Sequence, residues 1–169
     1  DSDGRWVPSK GVYDRTAAEL IASVRKHPDD LGATIGDWKP QVGAWIRFNP
    51  LDGAGVKNEN VTRFRYALVE SDTLSVAEQD ILYRKLELPV AALVHSGGKS
   101  LHAIVHVDAE NYDEYRKRVE FLYDFLEKNG LTVDKQNRNP SRLSRMPGVT
   151  RNGNRQYLAA TNIGRKTWV

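Results

Sequence analysis

The chain has 169 residues, with 25 Lys and Arg against 22 Asp and Glu, one Met and no Cys. That length suits one domain with an adequate core, and 40% apolar with 28% charged residues excludes wholesale disorder. The absent cysteines exclude a disulfide scaffold, a thiolate metal site and a cysteine nucleophile. No apolar run is long enough for a bilayer and no secretory signal opens the chain, so a cytoplasmic protein is expected. The first residue is Asp1 and the last Val169, which reads as one domain of a longer protein. A formal charge of +3 permits a nucleic-acid partner without demanding one, but Arg138, Arg142, Arg145, Arg151, Arg155, Arg165 and Lys166 crowd the last third.

Taken in chain order, Asp14 is expected to cap a first helix with Ala17, Leu20, Ile21 and Val24 on one face, closed by Pro28. Residues 43–48 read as a strand and 50–60 as a Gly/Asn-rich loop. Residues 63–72 alternate as a strand, and Ser75 with Glu78 forms a capping box that opens a helix to about Leu86. Two strands, 89–95 and 101–107, flank Ser96-Gly97-Gly98-Lys99-Ser100 and read as a hairpin. The strongest helical period runs over 110–129, with Tyr112, Tyr115, Val119, Leu122 and Leu126 on one face and Gly130 ending it. A β-like run over 131–134, a polar basic loop and a last strand over 156–161 follow. Strands and helices without strict alternation predict an α+β fold: a mainly antiparallel sheet with helices packed on one face.

Glu70 and Asp72 fall two apart on a predicted strand and so share a face, where mutual repulsion favours a hard divalent cation between them. Two solvated acids at a strand end is the blander reading, and on spacing alone it prevails. Asp134 adds a third carboxylate, which makes a two-metal site plausible. Gly98-Lys99-Ser100 is not a Walker loop, because Leu93 stands where its first glycine belongs and a strand follows instead of a helix. Ser100 and His102 share a strand face with Lys99 at its start, a hydroxyl, an imidazole and an ammonium suited to a triphosphate. His95 and His106 read as structural, and the four histidines form no zinc pattern or paired-histidine nicking motif. Arg138, Arg142 and Arg145 in the loop after Asp134 suit bidentate phosphate contact.

The order Glu-x-Asp, then Gly-Gly-Lys-Ser-Leu-His, then Asp134 followed by Asn-Arg-Asn-Pro-Ser-Arg-Leu-Ser-Arg resembles the archaeo-eukaryotic primase superfamily, in particular the primase-polymerase domains of plasmids, phages and other mobile elements. The likeness spans roughly 42–162, and Glu70 departs from the Asp that many members carry. The resemblance implies an RRM-like primase palm over about 42–169 behind a helical part over about 1–41, and template-directed nucleotidyl transfer from NTPs or dNTPs. It implies that Glu70, Asp72 and Asp134 hold two Mg²⁺ or Mn²⁺ ions, and that Lys99, Ser100, His102, Arg142 and Arg145 orient the triphosphate. Arg47 and Asn49 would reach sugar or phosphate, while Arg138, Arg151 and Arg155 follow the single-stranded DNA template. Such domains often precede a helicase. A non-catalytic RRM-like binding module and a metal-dependent nuclease are the competing classes; Glu70 and Asp72 argue against the first, and the Lys99/Ser100/His102 set is superfluous to the second.

Overall fold

The structure, a computed structural model, describes residues 11–167. The first ten residues of the expected N-terminal helical part lie outside the described residues. Helix α1, Ala17–Lys26, is capped by Thr16 rather than by Asp14. Thr16 Oγ1 accepts from Glu19 N at 3.2 Å and Glu19 returns a carboxylate to Thr16 N at 2.7 Å, a reciprocal pair that Asp14 is too far back to make. The apolar face expected to dock is not buried: Ile21 is 52% exposed. A short helix, α2 (Gly32–Ile35), follows.

The main sheet has four strands, β2 (Phe64–Val69), β3 (Val90–His95), β4 (Leu101–Ala109) and β8 (Tyr157–Ile163), in the order β2-β4-β3-β8 and antiparallel throughout. The hairpin is present, with His95 paired to Leu101 and Val94 to His102. Helix α3, Val76–Lys85, opens on the Ser75/Glu78 box as its sequence requires. Helix α4, Tyr112–Lys128, buries Tyr115, Val119, Leu122, Tyr123 and Leu126, whereas Tyr112, the first residue of that spacing, stays open to solvent.

The core joins α4 and Tyr83 of α3 to Ala67, Val69, Leu93, Leu101, Ala103, Val105 and Val107, so both helices cover one sheet face. Burial of that set is the main source of stability, at about 1.5–3 kcal/mol for each large apolar side chain. Tyr123 Oη reaches through this layer to Leu68 O at 2.7 Å. The register puts Leu68, Val94, His102 and Ile104 on the opposite face. They are buried too, because a second sheet of β1 (Trp45–Arg47) and β5 (Leu143–Arg145) lies over that side. A small hairpin, β6 (Thr150–Arg151) with β7 (Asn154–Arg155), precedes β8. Gln156 ties the second sheet down, its Nε2 donating to Ala44 O at 2.9 Å and Met146 O at 2.8 Å. Among the described residues no helix is long and apolar enough to cross a membrane.

Candidate active site

Strand β2 stops at Val69, and the expected alternation stops with it. Ser71 Oγ accepts from Thr73 N and Leu74 N, which turns the chain before Asp72. Glu70 and Asp72 therefore do not share a strand face. Glu70 faces into the cleft between the two sheets, its side chain 14% exposed, while Asp72 is 66% exposed at the rim. There Lys99 Nζ lies 3.6 Å from Asp72 Oδ1 and donates to Asp72 O at 3.0 Å. Such an exposed pair is weak and readily exchanged for another partner.

Asp134 does meet Glu70, though not from a strand. The run 131–134 is an extended segment whose Leu131 and Val133 are buried, fastened by Asp134 N donating to Glu70 O at 3.0 Å. Asp134 then caps a 3-10 helix, Lys135–Arg138, accepting from Gln136 N at 3.0 Å. That helix places Asn137, a residue the sequence reading passed over. Its Nδ2 donates to Glu70 Oε1 at 2.9 Å and to Asp134 Oδ2 at 3.3 Å, and its Oδ1 accepts from Arg142 Nε. One buried amide thus bridges the two carboxylates. The available signal was its place on the turn that Asp134 caps, within reach of whatever Asp134 faces.

Just before β4, Ser100 Oγ donates to Glu70 Oε2 at 3.3 Å, and from β4 His102 Nε2 lies 2.7 Å from the same oxygen. The other ring nitrogen settles the tautomer: Arg145 N–H points at His102 Nδ1 from 3.3 Å, with Ser144 Oγ at 3.1 Å. With the Arg145 N–H on Nδ1, the ring proton that faces Glu70 is carried on Nε2 and given to that carboxylate. Burial raises the Glu70 pKa, but the hydrogen bond from His102, the attraction of that ring's charge, and the hydrogen bonds from Asn137 and Ser100 outweigh it and hold the carboxyl at about 2.

The arginines divide differently from their expected roles. Arg142 gives its Nε to Asn137 Oδ1 and lies 3.9 Å from Asp134 Oδ2, so it is held beside the acids with its side chain 33% exposed. Arg145 stacks over Trp45 at 4.3 Å, donates to Val42 O, and is lowered to about 10 by burial first and by the neighbouring Arg151 second. Arg151 lies over the Gly97-Gly98 turn: a Cβ on Gly98 would stand 3.3 Å from its Nη1. Arg138 and Arg155 are exposed. Asn49 does not project into the cleft; it is 3% exposed and binds Tyr66 O, Pro140 O, Arg65 N and Tyr66 N, a clamp between β2 and the loop before β5. Arg47 spends Nη2 on Val56 O at 3.1 Å, and its buried Nε has no partner. His95 stacks on Tyr157 at 4.9 Å, and His106 meets Tyr66 in a tilted contact at 4.9 Å. Among the described residues no three Asp, Glu or His side chains gather into a metal cage.

No protein-family model and no curated protein matches the chain. Among solved structures, it is similar to the AEP domain of the primase-polymerase of cyanophage S-2L, with a TM-score of 0.53 and 21% identity over 87% of this chain and 70% of that one. At that identity the likeness is one of architecture, and the chain has the α+β fold of an AEP domain.

Proposed function

We propose that the chain is a primase-polymerase, joining NTPs or dNTPs on a single-stranded DNA template. One observation carries this reading: on a fold shared with a primase-polymerase domain, Glu70 and Asp134 are bridged by Asn137 where Ser100 and His102 also converge. The oxygen-only pair Glu70 and Asp134 fits Mg²⁺ or Mn²⁺, and Asp72 joins it once its side chain leaves Lys99. Held by these carboxylates, divalent ions would supply charge neutralisation for a triphosphate and acidify a 3′-hydroxyl.

The remaining roles belong to the chain's own side chains. Lys99, released from Asp72, meets phosphate as a point charge. The His102 Nε2 proton, now given to Glu70, is the donor available to a phosphate oxygen beside it. Arg151 Nη1 lies over Gly98, next to Lys99 in the same turn, so Arg151 belongs with the nucleotide rather than with the template, and an anion there also eases its repulsion of Arg145. Arg142 orients Asn137. Arg138 and Arg155 are left for template phosphates.

The test is extension of a primed DNA template with Mg²⁺ or Mn²⁺. Wild type should extend, and Asp134→Ala should fall to background. Arg151→Ala should raise the nucleotide concentration needed for half-maximal extension. Degradation of the template instead of extension would make the site a nuclease, and strand binding with neither activity would make the chain a binding module.

A further inference from the structure

Outside the cleft, Tyr112, Arg116, Val119 and Glu120 of α4 face Arg138 and Asn139 across a half-open groove of about 150 Å³. A cavity of that size holds one aromatic ring. Tyr112 is 40% exposed at the start of α4, and its ring packs in a tilted contact with Phe64 at 6.0 Å, which limits its motion while leaving it open to solvent. Arg116 and Arg138 are exposed, and neither makes an ion pair within the described residues. Asn139 lines the groove, and its Oδ1, closed off from solvent, has no hydrogen-bond partner, a costly state that a ligand N–H would relieve once the amide turned toward it. Glu120 also lines the groove and repels phosphate from its own side.

We propose that this groove is a subsite for single-stranded DNA. One unstacked base lies on Tyr112, the flanking phosphates sit on Arg116 and Arg138, and the base's N–H edge turns toward Asn139 Oδ1 and Glu120. A ring platform flanked by guanidiniums is the combination that single-strand binding uses, since every base has a π-face and every nucleotide a phosphate. The groove adjoins the proposed active site through the 3-10 helix, which begins at Lys135 under the Asp134 cap and ends at Arg138. The choice of DNA strand as occupant rests on the polymerase reading.

The experiment is fluorescence anisotropy of a short labelled deoxyoligonucleotide over a range of salt concentrations. Tyr112→Ala should weaken binding roughly 5- to 100-fold, the range expected for one stacked base. Tyr112→Phe, which keeps both the ring and its packing on Phe64, should bind like wild type. Arg116→Ala and Arg138→Ala are surface changes that leave the core intact, and each should weaken binding and lower the salt slope by about one. Wild-type binding that all of these variants retain would overturn the groove and leave the polymerase reading standing. Absence of single-strand binding by the wild type would overturn both.

Discussion

Asn137 is wholly buried, and every polar atom of its side chain is committed to Glu70, Asp134 or Arg142. Truncating it leaves two carboxylates facing each other without a donor between them. Asn137→Ala should therefore cost about 1–3 kcal/mol, and thermal unfolding should show it as a drop of several degrees. Glu70 gives a pH signature at the same place. Its folded-state pKa of about 2 lies below the ordinary 4.5, so folding favours the charged form. That contribution is complete above the unfolded value and is lost as pH falls from about 4.5 toward 2, for a total of up to about 3 kcal/mol. Glu70→Gln should flatten this acid limb of melting temperature against pH while leaving the limb's other carboxylates unchanged; a limb as steep as in wild type would refute the bonding described.

The junction between β8 and the end of α3 rests on one backbone position. Gly164 follows β8 with φ at +73°, and a Cβ there would collide with Leu88 O and the Glu87 carbonyl. A left-handed φ costs a non-glycine residue about 1–3 kcal/mol, and here the neighbour is backbone that cannot swing aside. Gly164→Ala should lower stability by at least about 2 kcal/mol in denaturant titration. β8 holds only β3 within the main sheet, so the loss should appear as exchange of β8 amides before those of β2 and β4.

Across the whole molecule, stability is layered. The helix-covered face of the main sheet carries the large apolar side chains, and the β1-β5 sheet on the other face is held by polar struts such as Gln156. Helix α1 buries no residue. Native-state hydrogen exchange should therefore rank α1 least protected, β1 and β5 intermediate, and the β4 and α4 amides closest to global unfolding. Equal protection of α1 and α4 would contradict this order. The cleft lies at the boundary of the two better-protected layers, so the proposed catalytic groups sit between a rigid sheet and a cover that opens more easily.

Local interactions were legible in the chain itself. The Ser75/Glu78 box, the period of α4 from Tyr115 to Leu126, the hairpin around Gly97-Gly98 and the shared face of Ser100 and His102 all follow from spacings of a few residues, and the structure contains each of them. The mainly antiparallel α+β class was legible for the same reason. What spacing could not reach was decided by partners distant in sequence. Asn137 joins two acids separated along the chain; the end of the alternation that paired Glu70 with Asp72, by contrast, is a local turn on Ser71 that the alternating pattern concealed. Arg151 comes to lie over the Gly97-Gly98 turn because the β6-β7 hairpin folds back there, while Arg142 is held beside Asn137 and Asp134. A period records which face a residue takes on its own element; which groups meet across the cleft depends on how the elements pack, and only the tertiary structure fixes that.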